Sequence, residues 1–260
     1  MNGARLAPCV LLAALVGCKA GEGDAAPRMI AHDSWCPDGF EQSTAEACFA
    51  LPAGETKDAP ILLYLHGMFK DHEAKEEWAA VHAATKRGFA VVIPRGKRGA
   101  CAWKADVKDF FCWPQEPEDT AEMKATVAEW DKVLWQVDAL LDPGKHRRYV
   151  LAFSNGGFFA EHLATHGLFD AQAWAIVNGG ALVPPGTKTK ATPMLLVAAE
   201  DDKDQAPRMK ELHDTLTKVG WPHAYCPRPG PHGLTPEDVD QSLRFFRRDA
   251  TDAKAAPSCK

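Results

Sequence analysis

The stretch Tyr149-Val150-Leu151-Ala152-Phe153-Ser154-Asn155-Gly156-Gly157 constrains this chain more than any other. An apolar run of strand character stops abruptly at a serine. Two glycines follow, then an apolar, helix-compatible segment from Phe158 to Thr165. Strand, sharp turn and helix in this order force the residue at the turn into a strained backbone conformation and push its side chain clear of both elements. Gly156 and Gly157 suit the turn because side chains there would collide with the flanking strand and helix. The new helix points its first N–H groups at the serine, which favours negative charge. The stretch can therefore supply a nucleophile and half of an oxyanion hole, whereas an ordinary strand–loop–helix junction would supply neither.

Three further segments fall in a meaningful order around it. Ile61-Leu62-Leu63-Tyr64-Leu65 is a buried-strand run that ends in His66-Gly67-Met68. Met194-Leu195-Leu196-Val197-Ala198-Ala199 runs into Glu200-Asp201-Asp202. Pro229-Gly230-Pro231-His232-Gly233 stands near the end. The order His-Gly loop, serine elbow, acid after a late strand and histidine in a final loop resembles the α/β-hydrolase fold, over roughly residues 60 to 248. The Phe-Ser-Asn-Gly-Gly elbow and the Leu-His-Gly loop look most like the dienelactone hydrolase, feruloyl esterase and polyhydroxybutyrate depolymerase branch. One position departs from that pattern: the elbow usually begins with glycine, and Ala152 stands here.

The resemblance implies a catalytic triad of Ser154, His232 and an acid. Serine hydroxyls need an adjacent base, and His232 lies where such a histidine is found, just before the last helix. His223 is the rival, in a weaker context at a strand start. The acid orients the histidine and stabilises its protonated form. Counting three residues from Ala199, as the family pattern suggests, gives Asp202; Asp201 is the runner-up and Asp204 a further candidate. The oxyanion hole is expected from the backbone N–H groups of Met68 and Asn155. His66 is read as structural. Trp103 and Trp113 flank a candidate disulfide in the segment expected to border the site. They either pack against it or wall an acyl, aryl or sugar group. His162 and His166 lie one helical turn apart, but Leu163 stands where a His-Glu-x-x-His zinc motif needs glutamate, and neither a metal nor another cofactor is expected.

The amino terminus reads as a targeting segment. Arg5 supplies a positive region and Cys9 to Val16 an apolar core too short to span a bilayer. Leu15-Val16-Gly17-Cys18 resembles a bacterial lipobox, which implies a lipid on Cys18 and a domain held at a membrane surface. The expected organisation is a signal peptide over 1–17, a lipidated tether over 18–30, a catalytic domain over 31–250 and a tail over 251–260. The expected place is the bacterial cell envelope outside the cytoplasm, with plain secretion as the alternative. Of eight cysteines, six then remain: Cys36, Cys48, Cys101, Cys112, Cys226 and Cys259. An even number in an exported chain suggests disulfides. Cys36–Cys48, Cys101–Cys112 and Cys226–Cys259 are favoured because partners are local or join plausible neighbours.

Alternating strand and helix patterns predict a mostly parallel sheet covered on both faces. The expected elements are a hairpin over 35–51, strands over 61–65, 89–93, 149–153, 173–177, 194–198 and 223–226, and helices over 73–86, 120–141, 206–218 and 236–247. The segment 95–118 reads as irregular, and 177–192 is too short for a large lid domain. The net charge of −5 with no basic stripe argues against nucleic acid as a partner. The sequence reading is an exported, lipid-anchored serine hydrolase acting on a small-molecule or polymer ester. A prolyl-oligopeptidase-like peptidase and a non-catalytic binding module are the alternatives. Oligomeric state is not readable from these residues.

Overall fold

The computed structural model describes residues 35–70, 74–101, 105–114, 120–142, 146–180, 189–251 and 258–259. The leader, Cys18 and Trp103 lie outside them. Chain order gives β1 (Glu41–Thr44), β2 (Ala47–Ala50), β3 (Ile61–Leu65), α1 (Lys75–Lys86) and β4 (Ala90–Pro94). Then come β5 (Lys97–Arg98), β6 (Phe111–Cys112), α2 (Thr120–Leu140), β7 (Arg148–Phe153) and α3 (Asn155–His166). The remainder is β8 (Ala173–Val177), β9 (Met194–Ala199), α4 (Gln205–Val219), β10 (His223–Arg228) and α5 (Pro236–Thr251).

An eight-stranded sheet runs β1-β2-β4-β3-β7-β8-β9-β10. The strands from β4 to β10 pair in parallel, and the hairpin β1–β2 adds an antiparallel edge through β2 on β4. The apolar strands obey a period of two even though both faces are covered. Leu63, Leu65, Val150, Ala152, Ile176 and Leu196 face one core with Trp130, Phe159 and Leu212 from α2, α3 and α4. Leu62, Tyr64, Leu151, Val177 and Val197 face the other with Trp78 and Val81 from α1 and Leu243 and Phe246 from α5. Among the described residues no helix is long and apolar enough to cross a membrane, and no large lid stands between β8 and β9.

The order reverses between β3 and β7, because β4 continues from β3 in one direction and β7 begins the other. Such a switch point opens a crevice at the carboxyl ends of the strands, where ligands bind in open α/β sheets. The His66-Gly67-Met68 loop leaves β3 there, and Ser154 leaves β7 beside it.

The segment read as irregular contains a short antiparallel hairpin. Lys97–Arg98 pairs with Phe111–Cys112, and Phe111 bridges to Phe69. Strands of two residues are too short to show periodicity, so alternation could not reveal them. Disulfides join Cys36 to Cys48, Cys101 to Cys112 and Cys226 to Cys259. The first ties the segment before β1 to β2, the second closes the short hairpin, and the third ties Cys259, beyond α5, to the edge strand β10.

Candidate active site

Ser154 stands at the amino-terminal cap of α3 with φ 51° and ψ −119°. Such a conformation costs a non-glycine residue about 1–3 kcal/mol and persists only where its surroundings hold it. Its N–H donates to the Val177 carbonyl at 2.9 Å, and its carbonyl accepts from Gly157 N–H at 2.8 Å. The neighbouring glycines are sterically required. A Cβ on Gly156 would strike the backbone oxygens of Leu65 and His66, and one on Gly157 would lie 2.9 Å from the Gly179 oxygen.

Three side chains from separate loops form a line. His232 Nε2 is 3.0 Å from Ser154 Oγ, and His232 Nδ1 is 2.5 Å from Asp202 Oδ2. The other Asp202 oxygen accepts N–H groups from Asp204 at 3.2 Å and Gln205 at 3.0 Å. Asp202 is thus buried at the start of α4, where two backbone donors and the helix dipole favour a negative charge. With Asp202 on Nδ1, the imidazole carries its proton there and presents a bare Nε2 to the serine.

Asp201 and Asp204 are placed differently. Asp201 Oδ2 accepts from Gly230 N–H at 2.9 Å and therefore holds the histidine loop rather than the imidazole. Asp204 caps α4 without a side-chain hydrogen bond. His223 begins β10, at the opposite end of the strands from Ser154, and bonds to His213 at 2.8 Å. His162 and His166 stack ring on ring along α3.

The loop after β3 is fixed from several sides. His66 Nε2 accepts from Gly96 N–H at 2.9 Å, so Nδ1 carries the proton and donates to the Gly67 oxygen at 2.6 Å. Complete burial lowers the His66 pKa to about 3, outweighing the Gly67 hydrogen bond, with nearby Arg95 lowering it further. His66 is therefore neutral around neutral pH. Glu77 accepts from the Tyr64 hydroxyl at 2.6 Å and from Gly67 N–H at 3.4 Å. Burial raises the Glu77 pKa, against the lowering effect of those two bonds. The loop passes close to the serine: a Cβ on Gly67 would lie 3.3 Å from Ser154 Cβ. Among the described residues the Met68 N–H meets no acceptor. The Asn155 N–H belongs to the first residue of α3, directly after the serine.

Trp113 corrects one expectation. Its side chain is fully buried, stacked on Phe159 with ring centroids 5.2 Å apart, so it offers no wall to a substrate. An aromatic residue beside a disulfide carries no sequence signal for which way its ring turns.

Four supporting residues escaped the sequence reading. Asn178, at φ 51°, donates to the Gly233 oxygen at 2.9 Å and accepts from Ala199 N–H at 2.6 Å. It thereby ties β9 to the histidine loop. Arg228 and Asp238 pair at the two ends of that loop. Thr235 and Asp238 bond reciprocally, each side chain to the other's N–H. Thr-x-x-Asp at the start of the amphipathic helix α5 is a capping-box signal that was present in the sequence.

No family model matches the chain. It is 26% identical over 154 residues to the bifunctional acetylxylan esterase/xylanase XynS20E of Neocallimastix patriciarum. The match takes in 58% of this chain but spans only 20% of that protein's length. Among solved structures, the acyl-protein thioesterase 2 of Zea mays superposes with a TM-score of 0.60 at 16% identity, over 78% of this chain and 98% of that one. The Bacillus cereus carboxylesterase gives 0.55 at 15%, over 78% and 93%. SOBER1 of Arabidopsis thaliana gives 0.54 at 16%, over 74% and 99%. With the parallel sheet, the switch point between β3 and β7 and the strained serine after β7, these likenesses identify the fold of this chain as the α/β-hydrolase fold.

Proposed function

We propose that this chain is an exported, lipid-anchored serine hydrolase that cleaves carboxylic esters through an acyl-enzyme. The observation that carries the reading is the unbroken line Ser154 Oγ, His232 Nε2, His232 Nδ1, Asp202 Oδ2. Esterase and thioesterase names among the similar proteins favour ester over amide bonds.

In the proposed cycle, Ser154 Oγ attacks the acyl carbonyl while its proton passes to His232 Nε2. The carbonyl electron pair moves onto oxygen, where the N–H groups of Asn155 and Met68 would stabilise it. Each such donor is worth about 2.7–4 kcal/mol of barrier. Collapse expels the alcohol, which takes the proton from His232. Water then attacks the acyl-serine, giving its proton to His232. The second collapse releases the acid and returns that proton to Ser154. Asp202 stays ionised throughout and stabilises the imidazolium.

The test is a panel of acetyl, longer acyl and aryl esters beside matched amides. Ester turnover by the wild type, lost in Ser154→Ala, supports the reading; turnover of amides alone contradicts it. The anchor rests on Leu15-Val16-Gly17-Cys18. Fatty-acid labelling in a bacterial host should mark the wild type and spare Cys18→Ser; a wild type without lipid refutes the anchor.

A further inference from the structure

The residue after the nucleophile does more than present a backbone N–H. The Asn155 side chain grips the Trp113 backbone at both polar groups: Oδ1 accepts from Trp113 N–H at 2.7 Å, and Nδ2 donates to the Trp113 oxygen at 3.3 Å. The Trp113 indole N–H in turn donates to the His66 oxygen at 2.9 Å. All three residues are buried. One residue beyond Cys112 is therefore bonded to both sides of the crevice: to the helix start behind the serine, and to the loop leaving β3. That loop is held a second time by Phe111, which exchanges bonds with Phe69 through N–H and carbonyl. Met68 lies between the two held points, His66 and Phe69.

We infer that Asn155 and Trp113 are positioning residues, whose shared hydrogen bonds fix the spacing between the Asn155 and Met68 N–H groups. The inference rests on the ester-hydrolase reading above, since only a developing oxyanion gives that spacing a use. An oxyanion donor must sit about 2.7–3.1 Å from where the charge will form. A displacement of about 1 Å at the reacting centre can cost about a hundredfold in rate. The two donors come from segments 87 residues apart in the chain (68 and 155), and Trp113 bonds directly to both segments. The clamp acts on the transition state and leaves the ground-state fit of the substrate alone, so its loss should appear in kcat and hardly in KM.

The test uses the full chain as wild type, Trp113→Phe, Asn155→Ala and the double variant, with kcat and KM measured on a p-nitrophenyl ester. Trp113→Phe keeps an aromatic ring against Phe159 but has no indole N–H. Asn155→Asp is the second variant; it keeps the acceptor for Trp113 N–H, loses the donor and sets a carboxylate oxygen against the Trp113 carbonyl. Phe159→Leu is the packing control, weakening the stack on the same ring while touching neither hydrogen bond. Trp113→Phe and Asn155→Ala should each lower kcat about ten- to a hundredfold with KM within about threefold, and Asn155→Asp should lose at least as much as Asn155→Ala. Both act through one clamp, so the double variant should be less than multiplicatively worse. Phe159→Leu should lose stability and keep kcat within about twofold. The inference is overturned if folded Trp113→Phe and Asn155→Asp retain wild-type kcat. It is also overturned if kcat simply follows stability across the whole set, Phe159→Leu included. A wild type that turns over no ester overturns the ester-hydrolase reading itself, and this inference with it.

Discussion

Arg228 and Asp238 form a two-pronged ion pair, with Nε to Oδ1 at 2.7 Å and Nη2 to Oδ2 at 2.8 Å, at the two ends of the loop that carries His232. Asp238 is 1% exposed. The same guanidinium donates to the Gly233 oxygen at 2.8 Å and the Pro229 oxygen at 3.1 Å, so one side chain closes the loop around the histidine. Removing one partner of a buried pair leaves the other charge uncompensated, which costs about 3–5 kcal/mol. Arg228→Ala should therefore lower the urea midpoint markedly. Arg228→Lys keeps the charge but cannot span both oxygens and the loop carbonyl, and should fall between the two. Equal midpoints for Arg228→Ala and wild type would mean that the loop does not depend on the pair.

The two adjacent aspartates should separate cleanly. Asp202→Asn removes the anionic partner of His232 and allows the wrong tautomer; in serine proteases this costs about ten-thousandfold in kcat. Asp201→Asn retains an oxygen for Gly230 N–H and should cost less than about tenfold. Steady-state kinetics of the two variants on one ester decide it; the reverse ranking would move the acid role to Asp201.

His66 gives a signed pH dependence of stability. Its pKa is about 3 in the folded chain and near the ordinary histidine value when unfolded, so below about pH 6.5 the unfolded state alone takes up the proton. Stability from this residue is complete above that pH and is lost as pH falls toward 3, at up to about 1.4 kcal/mol per unit. Glu77 acts in the opposite sense, since its raised pKa makes folding cost more as pH rises through the carboxylate range. Chemical denaturation between pH 4 and 8 should show a shallower slope for His66→Gln than for wild type. Parallel slopes would contradict a neutral, buried His66.

Gly156 and Gly233 make a steric contrast. A methyl group on Gly156 meets backbone oxygens on a neighbouring strand end, which cannot move aside, whereas one on Gly233 meets nothing within 4 Å. Gly156→Ala should fail to fold or lose several kcal/mol, on the order of a severe core overpacking. Gly233→Ala should change stability by less than about 0.5 kcal/mol. Thermal unfolding of the pair is the measurement, and a stable Gly156→Ala would show that the elbow is wider than the Leu65 and His66 contacts allow.

What could be read from the sequence was set by periodicity and by punctuation. The central strands are apolar runs stopped by a polar residue (His66, Ser154, Asn178, Glu200) or by Pro94, and β3 and β8 fall at the expected residues. Ser154, His232 and Asp202 stand at strand or loop ends, where turn chemistry marks a position, and the structure brings the three together. Residues that act by bonding across the chain left no such mark. Asn155 offered only its backbone N–H to the sequence reading, because nothing local says that its amide reaches Trp113, 42 residues away. Arg228 and Asn178 belong to the same class. Trp113 shows the limit most plainly, since its neighbours suggested the site border and its burial depends on Phe159 and Trp130 from other elements.

The central claim is an activated Ser154, and the most direct measurement is reaction of the full chain with a fluorophosphonate followed by peptide mapping of the adduct. One adduct is expected, on Ser154, absent in Ser154→Ala and strongly slowed in His232→Ala. A folded, disulfide-bonded wild type that forms no adduct, or one on another residue, would contradict it and favour a binding module built on a hydrolase fold.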